Sequence, residues 1–107
     1  MKFTDQIKDL INFLHNLKAV GGGDVPEDMN GGMQRVLQLE WTNLTKVLIH
    51  FADAPCHGTN YCNSADLYKD GGPTDKPFTN LFREINTLGI DYFFLEIKSM
   101  STKKMLG

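Results

Sequence analysis

Long apolar runs are missing from this 107-residue chain. No stretch approaches the roughly 20 consecutive apolar residues that cross a bilayer, so no membrane span is expected and the expected location is cytoplasmic. The start, Met1 to Asp9, is polar and mixed in charge, and no signal peptide is read there. Basic runs are missing too. The 11 basic side chains are outnumbered by 13 acidic ones, for a net charge of −2, and no helix face collects lysine or arginine. Nucleic acid is therefore not an expected partner. Cysteine is scarce: Cys56 and Cys62 share one loop. In a cytosolic chain they read as free thiols, since a disulfide needs an oxidising compartment and here would close only a short loop. Neither internal repeats nor low-complexity segments occur.

What is present supports one small domain, 1–107. Hydrophobic residues make up 41% of the chain, enough for a core. Ile7, Leu10, Ile11, Leu14 and Leu17 recur at helical spacing, predicting a helix over 4–19 with Thr4 as cap and Gly21 as terminator. After Gly21–Gly23, a second helix is expected to start at Asp24 or Val25, with Pro26, Glu27 and Asp28 in its first turn. Its apolar face is Met29, Met33, Val36, Leu37 and Trp41. Lys46 to Ala52 reads as a strand without clean alternation, which suits a strand covered on both faces. A long loop, 54–77, follows; loops of that length usually carry function. A third helix is expected from near Pro77, capped by Thr74 or Asp75, with Phe78, Leu81, Phe82, Ile85 and Leu88 inward and Gly89 at its end. Ile90 to Ile97 is the second strand, and Lys103-Lys104-Met105 opens a short helix in the tail. The order α, α, β, α, β makes the chain α/β, with two parallel strands and at least three helices joined by a right-handed crossover.

Two acids stand where α/β sheets bind ligands. Asp53 closes the apolar strand run before Pro55, and Asp24 follows the glycine run at the expected helix start. Ligands in open α/β sheets sit outside the carboxyl ends of the strands, near helix N-termini. Asp24 and Asp53, with Glu27 as a third oxygen donor, therefore read as a candidate divalent-metal group suited to Mg²⁺. The competing reading has Asp24 capping a helix, Asp53 starting a turn and Glu27 complementing the helix dipole. Cys56, His57 and Cys62 offer zinc-type ligands, but a closed site needs four, and His50, His15 or Asp66 would have to complete it; zinc is not expected. Cys56-His57 as nucleophile and base is disfavoured, because such dyads converge from separate segments.

Gly21-Gly22-Gly23-Asp24-Val25-Pro26-Glu27-Asp28 with Leu39-Glu40-Trp41, the stretch Ile49-His50-Phe51-Ala52-Asp53-Ala54-Pro55-Cys56-His57-Gly58, and Leu88-Gly89-Ile90-Asp91-Tyr92-Phe93-Phe94 together resemble the von Willebrand factor A domains. The branch is the intracellular one found beside alpha-kinase domains, and the likeness runs over roughly Phe3 to Met105. It implies a partial three-layer, Rossmann-like unit and a metal-ion-dependent adhesion site. In that site Asp53 matches the third-loop aspartate and Asp24 falls near the second-loop threonine. The family's opening strand, ending Asp-x-Ser-x-Ser, has no counterpart here, so the adhesion site is expected to be incomplete. The edge of strand 46–52 is then expected to be naked, which invites pairing with another chain. Two strands alone are marginal, so the chain is expected to be a piece of a longer protein or to assemble. The functional expectation is a non-enzymatic protein-interaction or assembly module. Asp24, Pro26, Glu27, Asp53, Cys56 and His57 would form its partner-binding loops, and strand 46–52 would serve self-association. The alternative is a regulatory or targeting segment of an alpha-kinase whose catalytic part lies elsewhere.

Overall fold

Residues 3–21, 23–71 and 76–107 are described by a computed structural model of the chain. Its elements run α1 (Ile7–Asn16), α2 (Met29–Leu37), β1 (Val47–Ala52), α3 (Phe78–Thr87), β2 (Asp91–Glu96) and α4 (Ser99–Leu106). β1 and β2 pair in parallel, Val47 opposite Asp91 through Ala52 opposite Glu96. The α/β class and the two-stranded sheet match the sequence reading.

One face of this sheet is covered. Met29 and Met33 of α2, Leu81 and Ile85 of α3, Cys56 and Ile90 form the buried core, and Leu48, Tyr92 and Phe94 pack against it from the strands. Leu81 is fully enclosed. His50 faces the same way, its Nδ1 hydrogen-bonded with the Tyr92 hydroxyl at 2.8 Å. Burial lowers the pKa of His50 and pushes Tyr92 up to about 12, so the neutral pair is the stable one.

The other face is bare. Val47, Ile49 and Phe51 of β1, with Phe93 and Leu95 of β2, are exposed, and Phe51 keeps 65% of its surface. The uninterrupted apolar run of β1 thus has a covered side and an open one among the described residues. α1 leaves its stripe open as well. It buries none of its residues, and Ile7, Leu10, Ile11, Leu14 and Leu17 all face out. Near it, the Phe3 ring meets Trp41 edge-on at 4.9 Å.

Several element boundaries differ from expectation, each for a local reason. α1 starts three residues later than expected and stops at Asn16, because Leu17 is already extended. α2 begins at Met29 rather than Asp24. Glu27 is drawn into a parallel bridge with Cys56, its N–H bonding Pro55 O at 2.9 Å, so Asp28 becomes the N-cap and accepts from Gly31 N at 2.9 Å. A Cβ at Gly31 would meet the Asp28 carboxylate and push the capping side chain aside. α2 ends at Leu37, and Trp41 folds back to donate Nε1–H to Val36 O at 2.9 Å. The expected caps Thr74 and Asp75 lie outside the described residues; Pro77 precedes α3. Gly89 ends α3 with φ +64, as a terminating glycine should. α4 is longer than its sequence signal, covering the tail from Ser99.

Candidate functional site

The loop after β1 is built around a buried carboxylate. Asp66 Oδ2 accepts from Gly58 N at 2.6 Å, and its Oδ1 accepts from Tyr68 N at 2.8 Å and from His57 Nδ1–H at 2.7 Å. Burial alone would raise the Asp66 pKa. The hydrogen bonds from Gly58, His57 and Tyr68, with the nearby imidazole, outweigh it, and the net shift is downward. Gly58 sits at φ +114, a left-handed conformation that favours glycine, and a Cβ there would crowd the Tyr61 ring. Two Lys104 bonds, to Thr59 O and Cys62 O, tie the same loop to α4.

Asp24 joins this cluster from the other loop. Its Oδ2 accepts from Leu67 N at 2.8 Å and lies 3.8 Å from His57 Nδ1. Asp28, not Asp24, caps α2. Among the described residues, Asp24, His57 and Asp66 are the group of three ligand-type side chains that converge. Asp24, Asp53 and Glu27, the trio proposed for Mg²⁺, are not such a group among the described residues. His57 spends its Nδ1 on Asp66 and acts as a clasp between the two loops.

Asp53 and Glu27 sit together elsewhere. With Asp28 they line one end of a groove of about 570 Å³, whose walls are Met29, Met33 and Val36 of α2 and Leu48 to Ala52 of β1. Pro26 is buried beside the bridge rather than presented to a partner.

Cys56 and Cys62 are both free and buried. Burial pushes the Cys56 thiol up to about 11, with the Asp66 charge and the Cys62 thiol adding to the shift against the lowering effect of a backbone hydrogen bond. The thiolate is the reactive form, so Cys56 is chemically quiet at neutral pH. Iodoacetamide should therefore label native Cys56 at least about 100-fold more slowly than the urea-unfolded chain, as read by mass spectrometry. Equal rates would mean that the loop does not hold its thiol inside.

Asp66 is the residue that sequence reading undervalued, giving it only as a spare zinc donor. Its position nine residues after His57, in a loop punctuated by glycine, is a weak signal that becomes meaningful only once the loop has closed.

No family model and no solved structure matches the chain. Similarity to curated proteins is clearer. Over 106 residues, 98% of this chain, it is 39% identical to the alpha-protein kinase vwkA of Dictyostelium discoideum. Over 93 residues, 86% of the chain, it is 36% identical to a protein of Acanthamoeba polyphaga mimivirus described as an ariadne-like RING finger protein, R811. The chain spans 17% of the first protein's length and 8% of the second's. The kinase similarity corrects the expectation of a non-enzymatic module: a protein named as a kinase carries a stretch like nearly all of this chain, which sets the chain in an enzyme-related context, in line with the alternative of an alpha-kinase segment. No helix among the described residues is long and apolar enough to cross a membrane.

Proposed function

We propose that this chain is the partner-docking segment of an alpha-kinase-type polypeptide, of von Willebrand A kind, and that it brings the kinase part to its target or to another copy. The observation that carries the reading is the unfinished sheet. Among the described residues β1 has a partner strand on one side only, and the face carrying Val47, Ile49 and Phe51 is bare. Such an edge is a ready template for an incoming strand. The similarity to vwkA supports the kinase setting, and the similarity to R811, described as a RING finger protein, supports a segment that recurs in proteins of different kinds. Regulation or targeting of kinase activity follows from this reading, because whatever pairs with β1 fixes where the catalytic part sits.

Light scattering behind size exclusion tests it. The chain is expected to run as a dimer or larger species. Ile49→Lys, which puts a charge on the bare face beside the open edge, is expected to return it to a monomer. A folded chain that stays monomeric at every concentration and binds no strand-forming peptide would remove the docking reading.

A further inference from the structure

We propose that the groove between α2 and the open edge of β1 receives an extended peptide segment, apolar at alternate positions and carrying lysine or arginine where it passes Glu27, Asp28 and Asp53. This rests on the docking reading above and names the partner's chemistry. Lys46 O and Ala52 O accept from Asp91 N and Ile97 N, so the even-numbered residues of β1 turn their backbone groups to β2. Successive residues of a strand point their backbone groups to opposite sides, so Val47, Ile49 and Phe51 offer theirs to the open edge. An extended segment pairing with these three would send every second side chain over Met29, Met33 and Val36, in a space of about 570 Å³. Methionine is flexible enough to fit varied apolar side chains, so the groove selects for apolar character more than for one shape.

Charge decides what the segment carries at its end. Glu27, Asp28 and Asp53 all line the carboxyl end of the groove and are exposed. Among the described residues no basic side chain forms an ion pair with any of them. A carboxylate-bearing segment would meet three like charges, whereas a lysine or arginine would meet complementary ones and gain specificity from them.

The test is titration of the full chain with short alternating valine–threonine peptides, followed by fluorescence anisotropy, at chain concentrations below self-association. Peptides carrying lysine at the C-terminus suit parallel entry, and those carrying it at the N-terminus suit antiparallel entry; matched versions carry glutamate. One lysine peptide is expected to bind at least about tenfold more tightly than its glutamate version, and added salt should narrow the gap. The double variant Glu27→Gln, Asp53→Asn, which keeps Asp28 as the cap of α2, should narrow that gap at least about threefold while keeping the apolar binding. Ile49→Pro removes an edge N–H without touching the β2 ladder and should weaken every peptide. Circular dichroism checks that both variants keep their fold. Equal binding of lysine and glutamate peptides overturns the proposal, as does a gap that the double variant leaves undiminished. If no peptide binds but self-association remains sensitive to Ile49→Lys, the proposal falls and the docking reading stands.

Discussion

Replacing Asp66 with alanine should cost the chain about 3 kcal/mol, because it leaves a buried imidazole, the buried Gly58 N–H and the part-buried Tyr68 N–H without their acceptor. The residue is almost fully enclosed, and it alone receives Gly58 N, Tyr68 N and His57 Nδ1–H. With the acceptor gone, the loop 54–71 should open, and Asp24 should lose the geometry that bonds it to Leu67 N. Urea unfolding gives the stability, and hydrogen exchange at Gly58, Leu67 and Tyr68 locates the damage. The pH dependence has a definite sign. The folded pKa of Asp66 lies below its ordinary value of 3.8, so its contribution is complete above that value and is lost as pH falls through the folded pKa. Asp66→Asn keeps the size but cannot ionise. It should therefore remove this part of the acid dependence while losing less structure than alanine does. An Asp66→Ala chain as stable as the parent would mean that the clasp contributes nothing to the fold.

Leu81→Ala should be comparably damaging for a different reason. Leu81 has no exposed surface and lies where α3 meets the Met29 and Met33 side of the core. Truncating a leucine in such a place costs about 2–5 kcal/mol, through lost transfer energy and the cavity left behind. Small domains hold about 5–15 kcal/mol in all, and a two-stranded sheet covered on one face belongs near the lower end of that range. The variant should thus lose a large share of its cooperative unfolding transition. Leu88→Ala, at a position 37% exposed, should cost far less. Calorimetry on the two variants separates the cases. Equal small effects would show that the α2–α3 core is looser than its packing implies.

The two experiments probe different parts of the molecule. Leu81 sits under the sheet and governs whether the chain folds. Asp66 sits at the carboxyl end of β1 and governs whether the loops beside the groove hold their shape. A docking segment needs both, since an open strand edge is selective only when the surfaces flanking it are fixed.

The α/β order, the parallel pairing of β1 with β2 and the inward faces of α2 and α3 were legible in the residues. Each rests on local rules: helical spacing in Met29, Met33 and Val36, an apolar run closed by Asp53 and Pro55, and a terminating glycine at Gly89. The same rules misplaced the start of α2. Pro26, Glu27 and Asp28 suit a helix's first turn, but the backbone bond from Glu27 to Pro55 outweighs that preference, and no local signal reports it. The candidate site shows the same division. The sequence located the acids at the ends of loops, and nothing in their spacing could say which would meet. Asp24 reaches a backbone N–H 43 residues away at Leu67, while Asp53 joins Glu27 and Asp28 on the wall of a groove. Amino-acid order by itself determined which segments are helix and strand and which stripes of α2 and α3 are apolar, because those choices are made over a few neighbouring residues. Only the tertiary structure decided that His57 and Asp66 clasp the loops and that, among the described residues, one face of the sheet stays bare. Those outcomes depend on how distant segments compete for the same backbone groups and the same buried space.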